Sequence, residues 1–113
     1  MIKLRQNLTI SVIIPAYNEQ DHIENVINSA KKRKDVDEII VVDDGSTDAT
    51  TNIAKKCGAK VISIPENRGK GYAMNLGSSR ASGDILLFLD ADFKNINPKK
   101  IGALIEPFKN MCD

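Results

Sequence analysis

Apolar residues along this chain fall into short dense runs, separated by polar stretches in which apolar positions recur every three or four residues. Residues 9–15 (TISVIIP) are β-branched and nearly unbroken, the pattern of a strand covered on both faces. Residues 19–32 then carry Ile23, Val26, Ile27 and Ala30 at helical spacing, with Asn18 as the expected N-cap and a basic run, 31–34, closing the helix. The same alternation repeats. A second strand is expected over 38–42 (EIIVV), followed by an amphipathic stripe of Ala49, Ile53, Ala54 and Cys57, capped by Ser46 or Thr47 and ended by Gly58. A third, edge-like strand covers 60–64 (KVISI), and a helix of small residues covers 72–80. The most apolar strand covers 84–89 (DILLFL), and a last helix opens at Pro98 with Ile101, Leu104, Ile105 and Phe108 on one face until Pro107 kinks or ends it. Strands alternating with helices in this way predict an α/β fold, a three-layer arrangement in which a mostly parallel sheet of about four strands carries helices on both faces.

Composition narrows the class without choosing within it. The chain has 113 residues, 42% hydrophobic and 27% charged, which suits one soluble globular domain. Sixteen Lys and Arg against fifteen Asp and Glu leave a net charge of +1, so nothing pulls the chain toward nucleic acid. Cys57 and Cys112 are too few for a disulfide scaffold, and the apolar run 8–14 is too short to span a membrane. The expected location is the cytoplasm, including the inner face of a membrane. His22, the only histidine, falls on the polar side of its helix, and Cys57 on the apolar side of its own. The sequon 7–9 follows no secretory signal and reads as chance.

In open α/β sheets ligands bind beyond the carboxyl ends of the strands, so the polar residues after each strand are the ones to question. Acidic, turn-rich segments follow the first, second and fourth strands: 15–19 (PAYNE), 43–48 (DDGSTD) and 90–92 (DAD). Asp90 and Asp92, one residue apart at a strand end, can share a hard divalent cation through oxygen alone, which suits Mg²⁺ or Mn²⁺. In 43–48, one carboxylate is free to accept N–H groups of a nucleotide base while another supports the turn. The loop 67–71 (NRGKG) brings backbone amides and Arg68 or Lys70 to the start of a helix, a setting for a diphosphate. A dinucleotide fingerprint fails there, because Met74 stands where the third glycine is needed and the run follows the third strand, not the first. That disfavours an oxidoreductase.

Taken together, 12–19 (VIIPAYNE), 41–48 (VVDDGSTD), 67–77 (NRGKGYAMNLG) and 83–92 (GDILLFLDAD) resemble the family 2 glycosyltransferases of GT-A fold, in order and in spacing. The resemblance covers residues 9–108 and implies binding of a nucleoside-diphosphate sugar, a UDP- or GDP-sugar, with transfer of the sugar to an acceptor. It implies that Pro15, Ala16, Tyr17 and Glu19 line the nucleotide pocket and that Asp44 contacts the base with Val42 beside it. It places Lys70 near the nucleotide, Asp90 and Ala91 by the ribose, and Asp90 and Asp92 on the cation. Within the family, the loop and Asp-Ala-Asp are similar to enzymes acting on polyprenyl phosphates. The segment after Asp92, Phe93-Lys94-Asn95 and then Pro98, is more similar to the glucosyl-3-phosphoglycerate synthase branch. The acceptors that the resemblance implies are a polyprenyl phosphate, a phosphoglycerate or a glycan. In the family the acceptor half and its acid or base follow the Asp-x-Asp strand. Residues 1–113 are accordingly expected to be the donor half of such a domain, inactive alone and open to self-association through the sheet edge beside the fourth strand. The competing expectation is a non-catalytic interaction or regulatory module on the same fold.

Overall fold

The computed structural model describes residues 8–109, so Asn7 and Cys112 lie outside the described residues. The elements in chain order are β1 (Ile10–Ala16), α1 (Ile23–Lys31), β2 (Glu38–Asp44), α2 (Thr50–Lys56), β3 (Lys60–Ile64), α3 (Lys70–Arg80), β4 (Ile85–Phe88) and α4 (Pro98–Ile105). A 3-10 turn, Glu106–Phe108, follows α4. The four strands form one sheet in the order β3-β2-β1-β4, and every pairing is parallel. This is the expected α/β architecture, with four strands and four helices in the expected order.

The strands alternate their side chains between two cores. Val12, Ile14 and Val41 point to one side, where Ile23, Val26, Ile27 and Ala30 of α1, Ala54 of α2 and Ile101 and Ile105 of α4 meet them. Ile13, Ile40 and Val42 point to the other, against Ala73 and Leu76 of α3. Ile23, Val26 and Ile27 are fully buried. Each such side chain contributes about 1.5–3 kcal/mol of transfer free energy, which holds α1 to the sheet. The two helix layers lie on opposite faces because the chain moves outward from β1 through β2 to β3, then crosses back to β4 on the far side of β1. That reversal is the topological switch point, and it opens a crevice at the carboxyl ends of β1 and β4.

Several local expectations are corrected. Helix α1 starts at Ile23, a turn later than the spacing suggested, because both His22 and Ile23 donate their N–H to the Glu19 carbonyl (3.0 and 2.9 Å) in a preceding turn. Asn18 does not cap α1; it has a positive φ of 52° and its Oδ1 accepts from the Thr47 and Asp48 amides (2.8 and 3.3 Å) in the next loop. Neither Ser46 nor Thr47 caps α2. Asp48 Oδ1 accepts the Thr50 amide at 2.9 Å, and Ala49, at the N-cap, is exposed. In α4, Asn97 caps through the Lys100 amide (2.8 Å) and Ile101 and Ile105 are buried, but Leu104 and Phe108 are 41% and 43% exposed. Pro107 does end the α-helix, turning the last residues into the 3-10 turn.

Strand β4 departs most from its sequence. Its apolar run reads as a buried strand, yet Leu86 and Phe88 are each 37% exposed. They pair in register with Ser11 and Ile13, on the face that α3 covers over β1 and β2 but not over β4. Among the described residues β4 pairs with β1 alone, which is the open edge expected beside the fourth strand. Among the described residues no helix is long and apolar enough to cross a membrane.

Candidate functional site

A cleft of about 430 Å³ opens at the switch point, lined by Pro15, Ala16, Tyr17 and Glu19 after β1, Asp44 at the end of β2, Asn67, Gly69, Lys70 and Ala73 around the start of α3, and Asp90, Ala91 and Asp92 after β4. Arg68, the other cation of the 67–71 loop, does not line the cleft. Of the residues that the resemblance assigns to the site, all but one come together here. The exception is Val42, which is fully buried beneath α3 and does not line the cleft. A Cβ at Gly77 would sit 3.1 Å from its Cγ2, so Val42 supports the helix rather than a ligand. Asn67 and Gly69 belong to the loop expected to face a diphosphate, and Ala73, one turn into the helix, is an addition. Gly69 is the N-cap of α3, with a φ of 98°.

Strand alternation decides which of the two adjacent aspartates faces the cleft. Residues 40, 42 and 44 share the α3 side of β2, and Asp43 points to the other. Asp43 accordingly supports the turn, accepting the Ser46 amide at 3.0 Å and the Thr51 hydroxyl. Asp44, only 4% exposed, accepts the Arg68 amide on Oδ1 (2.7 Å) and the Gly69 amide on Oδ2 (2.8 Å). A second rim is built from the first two loops: the Asn18 amide donates to Ser46 Oγ (2.9 Å) and the Glu19 amide to Thr50 Oγ1 (2.8 Å). These bonds hold 17–19 against 46–50, leaving Tyr17 46% exposed at the mouth.

On the opposite wall, Lys70 Nζ donates to Asp90 Oδ1 in an ion pair. The Asp90 carboxylate beside it holds the Lys70 ammonium above its ordinary range, and Asp92 adds to the effect. Both partners are exposed, at 62% and 58%, so the pair is weak enough to open. Arg68 lies over the Tyr72 ring, 5.4 Å from its centre, on the outer side of the same loop. His22 stays at the surface with its Nδ1 3.1 Å from Glu19 Oε1. Cys57 packs half-buried against the α1 core, where burial pushes its thiol up.

Two carboxylates on a strand end, a movable cation facing them and a loop of backbone amides make a site for an anion carrying a hard divalent ion. Asp90 and Asp92 offer oxygen donors only, and both are exposed to the cleft. Among the described residues no group of three or more His, Cys, Asp or Glu could hold a metal ion. The donor set fits Mg²⁺ or Mn²⁺, which are held by one or two carboxylates with water and phosphate oxygens completing the shell.

Comparison with known proteins decides the family. The profile of glycosyl transferase family 2 matches residues 11–113. The chain belongs to glycosyl transferase family 2. Glucosyl-3-phosphoglycerate synthase of Mycobacterium tuberculosis is 43% identical over 108 residues, 88% of this chain and 33% of that protein. Dolichyl-phosphate beta-glucosyltransferase of Drosophila melanogaster is 42% identical over 102 residues, 76% of this chain and 31% of that protein. The chain therefore spans about a third of the length of these family 2 relatives. The crystal structure of the M. tuberculosis synthase with Mn²⁺, uridine diphosphate and glucosyl-3-phosphoglycerate matches with a TM-score of 0.82 and 40% identity, over 91% of this chain and 40% of the other. A second structure of that synthase, with Mg²⁺ and uridine diphosphate, also matches at 0.82 and 40% identity, covering 91% of this chain and 40% of that one.

Proposed function

We propose that residues 8–109 hold the donor side of a glycosyl transfer site, binding a UDP-sugar together with Mg²⁺ or Mn²⁺. The observation that carries this reading is the convergence of Asp90, Asp92 and Lys70 in one cleft at the switch point with the 15–19 loop on its other wall. In this reading Asp90 and Asp92 hold the cation, Lys70 and the amides at the start of α3 face the diphosphate, and Pro15, Ala16, Tyr17 and Glu19 enclose the nucleoside. A bound divalent cation supplies charge neutralisation to the nucleoside-diphosphate leaving group. Lys70 contributes a second positive charge to the same oxygens once it leaves Asp90. The bond from the sugar to the diphosphate breaks and a bond from the sugar to the acceptor oxygen forms, with no acid or base for the acceptor proton assigned to the described residues.

The sugar proposed is glucose and the acceptor phosphoglycerate. Support comes from the glucosyl-3-phosphoglycerate synthases among the relatives and from a structure of the M. tuberculosis enzyme holding UDP-glucose and phosphoglyceric acid. Phe93-Lys94-Asn95 with Pro98 points to the same branch. Competition assays with the protein in its full reading frame test the assignment. Glucose passing from UDP-glucose to 3-phosphoglycerate in preference to a polyprenyl phosphate is the expected result, and the reverse preference contradicts it.

A further inference from the structure

Tyr17 and Glu19 both line the cleft, and Asn18 between them does not. All three lie between β1 and α1, and the side chain of Asn18 is bonded instead to the loop that follows β2. Its Oδ1 accepts the Thr47 amide at 2.8 Å and the Asp48 amide at 3.3 Å, with the Thr47 hydroxyl at 3.4 Å. Its own amide donates to Ser46 Oγ at 2.9 Å. Asn18 also has a φ of 52°, in the left-handed region that Asn and Asp enter more readily than most other residues with a side chain. The next two residues extend the same contact. Glu19 donates its amide to the fully buried Thr50 hydroxyl (2.8 Å), and Gln20 donates its own to Asp48 Oδ2 (3.3 Å).

We propose that Asn18 is a positioning residue for the nucleoside wall of the cleft, holding Tyr17 and Glu19 in place through the backbone of residues 47 and 48. The role rests on the nucleotide reading above and deepens it, since that reading has Tyr17 and Glu19 enclose the nucleoside. Two consecutive amides on one oxygen fix the Asn18 side chain, and its left-handed backbone sets the direction in which the chain passes from Tyr17 to Glu19. The 46–48 turn is itself held to β2 by Asp43, which accepts the Ser46 amide at 3.0 Å. The wall is thus tied to the sheet through β2 as well as through β1. Lys70, Asp90 and Asp92, at the phosphate end, stand on other elements, the start of α3 and the turn after β4. Loosening Asn18 should therefore be felt by the nucleoside and not by the diphosphate.

Substitutions at two positions separate the clamp from the backbone conformation. Asn18→Gly keeps access to the left-handed region and removes the acceptor of both amides. Asn18→Asp keeps both features, because a carboxylate accepts the same amides. Ser46→Ala removes the acceptor of the Asn18 amide with no change of charge, and serves if N18G does not fold. Calorimetry measures UDP and inorganic pyrophosphate, each with Mn²⁺, on wild type and the variants. Amide hydrogen exchange at Thr47 and Asp48 is followed in parallel.

N18G is expected to weaken UDP about tenfold, to leave pyrophosphate unchanged and to speed exchange at both amides. N18D should bind UDP within about threefold of wild type. S46A should weaken UDP a few-fold with pyrophosphate again unchanged. UDP bound as tightly by N18G as by wild type overturns the proposal. So does pyrophosphate falling by the same factor as UDP, which a general loosening of the fold would give. A wild-type chain that binds neither ligand contradicts the proposed function, and this role with it.

Discussion

Lys70 and Asp90, twenty positions apart in sequence, meet as an ion pair across the mouth of the cleft, one at the start of α3 and the other just past β4. The pair joins two of the loops that line the site and places an ammonium on a carboxylate that the proposed function reserves for a divalent cation.

That arrangement predicts effects of opposite sign for one substitution. Lys70→Met frees Asp90, so Mn²⁺ alone should bind a few-fold more tightly, while UDP with Mn²⁺ should bind about tenfold more weakly for want of the second cation. Manganese electron paramagnetic resonance reads the first and calorimetry the second. Both affinities moving in the same direction would show that Lys70 serves neither role.

At the opposite end of the sheet, Glu38 ties three segments together. Its Oε1 accepts the Ser11 hydroxyl (2.7 Å) and the Ser82 amide (3.0 Å), and its Oε2 accepts Lys60 Nζ (2.7 Å). The Lys60 ammonium, the Ser82 amide and the Ser11 hydroxyl hold its carboxyl at about 2, below the ordinary 4.5. Because the folded value is the lower one, the stabilisation is complete above pH 4.5 and is lost as pH falls toward 2. Glu38→Gln should therefore cost about 2–3 kcal/mol at pH 7 and progressively less below pH 4.5, in urea unfolding followed across pH. Stability curves of the two proteins running parallel down to pH 2 would contradict this.

Burial along β4 and just beyond it predicts a sharp contrast between neighbours. Leu89 is 2% exposed and Leu86 is 37% exposed. Leu89→Ala should cost about 2–5 kcal/mol, and Leu86→Ala about 1 kcal/mol or less. Equal losses in denaturant unfolding would mean that the α3 side of β4 is covered in solution.

Most of this molecule was legible in the order of its residues because each strand is a dense apolar run and each helix keeps its period. The cleft was legible too, since in a parallel sheet the loops after the strands share one edge. What escaped depends on contacts distant in sequence. Asn18 looked like the cap of its own helix, but the 46–48 turn lies close enough to take its side chain. The apolar run 84–89 reads as a buried strand, yet Leu86 and Phe88 lie on a face that α3 does not reach, which hydropathy does not encode. Val42 is placed beside Asp44 by the family resemblance. Being on the same face two residues earlier, it lies under α3 instead of at the cleft.

The central claim is that the cleft binds a nucleoside diphosphate through a cation held by Asp90 and Asp92. Titration of the chain with UDP, with and without Mn²⁺, on wild type and Asp92→Asn, tests it most directly. Binding should depend on Mn²⁺, be abolished by chelation, and fall at least tenfold in D92N. UDP that binds under no metal condition, or binds equally well to D92N, would contradict it.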